Sequence, residues 1–263
     1  MHLSFKSHNL IGPTSYAGLI LILHAMHSLG LISIIEGIQA EKSKNATYST
    51  LQINLSILAE MILGVENGYW LKEGLENDAL LEIFCTLADG KTPSRTTLNR
   101  DIRTRYDPED VKRTFEVLIQ WLKVLGLLRV VIVAIDSSKL YVNGKLYENT
   151  AKVREQFKTV EDLNDFPCRA FRGIKTNLYF KFIAFVILFV FKKLLTEKYR
   201  NAGLTVLRRY IIKQPAVLYY RKGEVLVDMH GKKQKKRGLI RTLLLHMVSL
   251  PTKASYFYVR NNR

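Results

Sequence analysis

Apolar and polar positions alternate along this chain in two regimes, helical over the first half and mixed afterwards. Residues 16–35 contain no Lys, Arg, Asp or Glu, and Leu19, Ile20, Leu23, Met26 and Leu29 recur at helical spacing. Such a run has the length of a membrane span, but His24, His27, Ser28, Gly30 and Ser33 interrupt it, so a buried helix of a soluble bundle is expected. Residues 48–63 restore the helical period, with Gly64 and Gly68 to close it. Asp78 is placed to cap a helix over residues 79–87, with Gly90 beyond its end. Ser94 can cap the next, which carries Arg95, Arg100 and Arg103 and turns Leu98 and Ile102 to the packing side. A helix over 108–128 follows, with Pro108 early and Glu109 and Asp110 in its first turn. Its apolar side is read as Val117, Leu118, Trp121, Leu122 and Leu125.

The period changes at residue 130. Residues 130–135 form an unbroken β-branched run, short enough for a strand buried on both faces, and the run ends in Asp136, Ser137 and Ser138. Residues 140–142 and 145–147 then flank Asn143-Gly144, the pair best suited to a two-residue type I′ hairpin turn. Taken alone, Asp136 either caps the strand end through local backbone bonds or holds a cation. Residues 152–167 are highly charged, without strand character. The apolar block 182–191 is too short to cross a bilayer by itself and is expected as a helix packed on the sheet. A second hairpin is predicted from 217–220 and 225–228, turned by Lys222-Gly223. Residues 231–238, GKKQKKRG, form a basic loop, and 239–250 a short amphipathic helix.

Charge sharpens this division. The net charge is +17, and from Cys168 to the last residue there are 22 basic and 3 acidic side chains, a net of +19. The preceding 167 residues carry 18 basic and 20 acidic ones, a net of −2. So uneven a distribution points to a polyanion as partner, nucleic acid before an acidic membrane surface. The loop lysines Lys232, Lys233, Lys235 and Lys236 with Arg237 are therefore read as phosphate contacts rather than a merely solvated loop. The basic helix after Ser94 is compatible with a helix-turn-helix near 92–105, and equally with a solvated basic face. His24 and His27, without a third ligand, read as polar residues at a helix edge. Cys85 and Cys168 lie far apart and read as buried or partly buried thiols of a reducing cytoplasm. No signal peptide is recognised at the start of the chain.

Residues 129–148, RVVIVAIDSSKLYVNGKLYE, resemble the first catalytic strand of DDE transposases from prokaryotic insertion elements. In that family an apolar strand delivers Asp, a small hydroxylic pair follows, and a Gly-containing hairpin ends in Tyr-Glu, as Tyr147-Glu148 do here. Residues 15–151 follow the family's plan of a helical N-terminal region ahead of that strand. A second resemblance begins at Cys168. The family's last catalytic Glu opens a helix reading Glu-x-x-Phe-Arg-x-x-Lys, and Phe171, Arg172 and Lys175 stand at that spacing, while Cys168 occupies the position of the Glu.

The resemblance implies an α+β or α/β chain: a helical region over 1–128, then an incomplete RNase H-like mixed sheet with flanking helices over 129–263. It implies DNA cleavage and strand transfer with Mg²⁺ or Mn²⁺, and no small-molecule cofactor. Asp136 would be the catalytic acid and metal ligand, with Arg169, Arg172, Lys175, Arg100 and Arg103 joining the loop on DNA. The partners implied are the element's DNA ends and further copies of the chain, in a prokaryotic cytoplasm close to the nucleoid. Only 31 residues separate Asp136 from Cys168, too few for the second catalytic strand, so an internal deletion and lost catalysis are expected. The competing readings are a non-catalytic nucleic-acid-binding protein and, less favoured, a basic membrane-associated protein.

Overall fold

A computed structural model of the chain describes residues 10–42, 46–64, 78–85, 93–128, 140–142, 145–147, 171–195, 197–200, 202–221, 224–228 and 257–259. The charge-free run near the start becomes two helices, α1 (Leu19–Ser28) and α2 (Leu31–Glu36), with Gly30 between them at φ 69°. Every residue from Leu19 to Met26 is buried, so α1 is a core helix without a polar face. No side chain caps its start. Its first N–H groups, of Leu19, Ile20 and Leu21, donate to the carbonyls of Tyr16, Ala17 and Gly18. The two residues just ahead of it are tied far along the chain: Ala17 donates to the Gln214 carbonyl at 2.8 Å and Gly18 to that of Ile212 at 3.2 Å.

Helix α3 (Thr50–Leu63) has local punctuation at both ends. Ser49 and Gln52 form a capping box, each side chain accepting from the other's backbone N–H. At the far end Gly64 takes φ 62°, and Arg208 supplies the donors that the last turn lacks. Its Nε donates to the Ile62 carbonyl at 2.9 Å and its Nη2 to that of Met61 at 2.7 Å.

Helix α4 (Ala79–Phe84) is shorter than the expected 79–87, since Cys85 already leaves helical geometry. Helix α5 (Arg95–Thr104) is capped by Ser94, which accepts from the Thr97 N–H, and buries Leu98 and Ile102 as expected. Helix α6 (Pro108–Val124) ends ahead of residue 128, because the chain turns back at Gly126 and the Leu127 and Leu128 N–H groups bond to the Leu122 carbonyl. Its packed face also differs from the sequence reading. Val111, Thr114, Leu118 and Leu122 are buried, whereas Val117, Trp121 and Leu125 are exposed. The Trp121 indole nevertheless has a partner, donating to the Leu29 carbonyl at 2.7 Å and tying α6 to the end of α1.

The helix predicted around 182–191 is longer and differently placed. Helix α7 (Phe171–Leu194) packs mainly among α1, α3, α5 and α6 rather than on a sheet. Three contacts set its direction: Lys175 faces Glu109, Phe182 faces Phe115, and the Lys193 ammonium donates to the Leu127 carbonyl. Positions advance together along both helices, so α6 and α7 run parallel. An 18-residue stretch of α7 reaches a mean hydropathy of 1.8, enough by length and composition to cross a membrane; 61 % of it is buried inside the protein. Two short helices, α8 (Glu197–Arg200) and α9 (Leu204–Leu207), lead into a π-helical turn, Arg208–Ile212.

Both predicted hairpins are present. Strands β2 (Leu140–Val142) and β3 (Lys145–Tyr147) pair Val142 with Lys145 across a two-residue turn. Strands β4 (Ala216–Arg221) and β5 (Glu224–Asp228) pair Arg221 with Glu224 in the same way. The second hairpin lies at the centre of a four-stranded sheet. Its neighbours are β1 (Leu10–Thr14), antiparallel to β4, and β6 (Phe257–Val259), parallel to β5. Pro13 is tolerated because β1 is an edge strand, where a missing donor leaves no ladder bond unmade. The protein is α+β, dominated by helices, and one hydrophobic core holds residues from both sides of position 128.

Candidate nucleic-acid interface

The corner between α5 and α6 is built on Tyr106, which is fully buried. Its hydroxyl donates to the Asn54 Oδ1 at 2.6 Å, and the Asn54 amide donates to the carbonyls of Ile35 and Ile38, both at 3.2 Å. The Tyr106 ring meets Phe180 edge to face at 5.3 Å. Burial, with Asp101 nearby, raises the phenol above its ordinary value, so it stays a donor at all ordinary pH. One side chain thereby joins α2, α3, α7 and the corner.

Around this hub lie several of the basic residues that the sequence singles out. Arg100 and Arg103 project from α5 and are exposed. Asp101, between them, is 1 % exposed, and neither of its carboxylate oxygens accepts a hydrogen bond from a described residue. Its company is cationic: the Arg105 Nε lies 3.3 Å and the Arg100 Nε 3.6 Å from its Oδ1. Lys42 donates to the Tyr48 carbonyl at 2.8 Å close by. Burial lowers the Lys42 ammonium below its ordinary value, while Asp101 pulls it up and Arg105 pushes it down.

The first turn of α7 docks on the same corner. Arg172, exposed, donates from Nε to the Tyr106 carbonyl at 2.8 Å. Lys175 takes a different environment, 3.9 Å from Glu109 and over the Phe171 ring at 5.1 Å. The spacing shared by Arg172 and Lys175 therefore places them on one helix end with unequal charge partners. Asp136, Arg169 and the loop residues Lys232, Lys233, Lys235, Lys236 and Arg237 lie outside the described residues, as does Cys168.

Metal-ligating chemistry finds little purchase in what is described. No group of three or more His, Cys, Asp or Glu side chains among the described residues could hold a metal ion. Asp78 is committed elsewhere, accepting from Thr14 Oγ1 at 2.7 Å and from the N–H groups of Ser15, Leu80 and Leu81. Asp101 lies among arginines that would repel a cation. These carboxylates do not fit Mg²⁺. His24 is buried and His27 exposed. Burial pushes the Cys85 thiol up to about 12, leaving it protonated and inert.

Sequence reasoning missed Asp101, Arg105, Tyr106 and Asn54. Only one signal was available for them, an acid beside two arginines on a helix otherwise read as basic. No family model, no curated protein and no solved structure matches the chain.

Proposed function

We propose that this chain is a DNA-binding homologue of the DDE transposases, internally shortened and without strand-transfer activity. One observation carries the binding half: a net charge of +19 in the last 96 residues against −2 before them. The transposase half rests on residues, namely the apolar strand ending in Asp136 with its hairpin, and the Phe171-Arg172-Lys175 spacing. The RNase H-like core belongs to this proposal, as does the assignment of Asp136 as acid and weak Mg²⁺ ligand. The α+β architecture and the described hairpin of β2 and β3 are compatible with both.

Lost catalysis follows from chemistry. Phosphodiester transfer in this family needs two cations about 3.5–4 Å apart, bridged by carboxylates from separate elements, and one Asp cannot position both. Cys168 is a poor substitute for Glu, since a thiolate is a soft ligand with little preference for Mg²⁺. Binding then outlives cleavage.

The binding test is titration of labelled duplex DNA with the full chain over a range of salt concentrations, where log affinity should fall linearly with log salt. Changing Lys232, Lys233, Lys235 and Lys236 to Glu should weaken binding and flatten that slope. Incubation of the chain with DNA and Mg²⁺ or Mn²⁺ should give no nicking. Cleavage that disappears in Asp136→Ala would overturn the catalytic half.

A further inference from the structure

Three arginines from two separate segments are anchored at the α5–α6 corner, each through its own Nε. Arg100 and Arg105 each turn Nε toward the buried Asp101, at 3.6 and 3.3 Å, and Arg172 gives its Nε to the Tyr106 carbonyl at 2.8 Å. Tyr106 directly follows Arg105, and its N–H donates to the Asp101 carbonyl at 3.4 Å, so the two anchoring residues are joined through the backbone. A guanidinium fixed through Nε keeps both terminal nitrogens, the pair that meets a phosphate in a two-pronged contact. No terminal nitrogen of the three has a hydrogen-bond partner among the described residues. Exposure agrees: the side chain of Arg100 is 54 % exposed, that of Arg105 23 %, and Arg172 lies at the surface.

The charge balance favours an anion. Lys42 adds a fourth cation, against the buried Asp101 and the exposed Glu41, whose N–H donates to the Arg105 carbonyl. In the first turn of α6, Glu109 is faced by Lys112 and Lys175 and Asp110 by Arg113. Asp107, exposed beside Tyr106, accepts from the Glu109 N–H as the cap of that helix, so four cations face the acids Asp101, Asp107 and Glu41 at the corner.

The geometry points to Arg100, Arg105 and Arg172 as a clamp for the phosphodiester backbone of duplex DNA, with Asp101 as the residue that positions two of them. This rests on the DNA-binding reading above and deepens it, adding Arg105 and Asp101 and placing a contact outside the basic loop. A carboxylate that receives no hydrogen bond stabilises the fold little. What it supplies is orientation, since two flexible side chains are drawn to one point and lose less entropy when phosphate arrives.

The test uses the full chain and a labelled duplex of about 20 base pairs, with affinity read by fluorescence anisotropy across a salt series and thermal melting as the control for folding. Arg100→Gln and Arg172→Gln, both at exposed positions, should each weaken binding about five-fold near 0.1 M salt, and each should make the log–log salt slope shallower by about 0.9. Asp101→Asn supplies a readout that charge alone would move the other way. It raises the net charge by one, yet binding should weaken several-fold because the arginines lose their anchor.

Wild-type binding with the Gln variants unchanged in affinity and slope overturns the clamp and leaves the DNA-binding reading standing. Tighter or unchanged binding by Asp101→Asn overturns the positioning part. A wild-type chain that binds no duplex, or binds only single-stranded RNA or acidic vesicles, removes the occupant and overturns both readings.

Discussion

Two buried aspartates sit in this protein under opposite conditions. At the junction of β1 and α4, Asp78 accepts four hydrogen bonds, from the Thr14 hydroxyl and the N–H groups of Ser15, Leu80 and Leu81. At the α5–α6 corner, Asp101 accepts none from a described residue and is faced by arginine Nε atoms instead. The first carboxylate is a structural fastening that caps a helix and pins an edge strand 64 residues away in sequence. The second is stabilised only by ion pairs open to solvent on one side, which contribute little to folding. Equal burial therefore hides unequal purpose, and the donors around an acid tell the two apart.

The contrast is broken most readily at Asp78. Asp78→Ala strips the cap and leaves several buried donors without acceptors, and should cost about 3 kcal/mol by chemical denaturation. A loss under 1 kcal/mol would mean that water replaces the carboxylate and the fastening is nominal. Next comes the hub below Asp101. Tyr106→Phe leaves the Asn54 Oδ1 buried without its donor, and should cost about 2 kcal/mol with the helical content unchanged. An unaffected midpoint would show that the corner does not depend on that bond.

Gly64→Ala tests a fastening of a third kind. Alanine is strained at φ 62°, and its Cβ would meet the Arg208 guanidinium, so a loss of about 1–2 kcal/mol is expected. Arg208→Ala in the same background should then cost less than it does alone, because the two changes disturb one contact. Asp101→Asn should move stability by no more than about 1 kcal/mol in either direction. A loss as large as that of Asp78→Ala would erase the distinction between the two acids.

The smallest effect concerns pH. Burial raises the Asp78 carboxyl above its ordinary value, with the hydrogen bonds from Ser15, Thr14, Leu81 and Leu80 opposing it. The folded state then keeps that proton to higher pH than the unfolded chain does. Its contribution to stability falls as pH rises from the ordinary carboxylate value to the raised one, and is level above it. The melting temperature of the wild type should drop relative to that of Asp78→Asn across this interval. Parallel curves would mean that the hydrogen bonds cancel the burial.

Much of the helical part was legible because its signals are local. Ser94 and Asp78 cap where the side-chain chemistry says they should, and the strands of both expected hairpins pair, with the turn residues 143–144 and 222–223 outside the described residues. The capping box of Ser49 and Gln52 could have been read in the same way, since the two side chains stand three apart at a helix start. Strand β1 could not. Residues 10–14 become a strand only because β4, some 200 residues later, presents an open edge to them. The packed face of α6 was misjudged for a related reason: its apolar residues exceed one face, and the choice among them depends on which neighbours arrive.

What this sequence determines by itself is therefore what short-range physics can carry: helix periods, caps, two-residue turns and the segregation of charge into the last third. Which of its basic residues act together was decided by tertiary structure. Arg172 reaches the α5–α6 corner only because α7 runs parallel to α6 through the middle of the helices and sets its first turn on the Tyr106 carbonyl. Hydrogen bonds and ion pairs reach about 3 Å, and no sequence interval of 66 residues encodes such a distance until the core has closed around it.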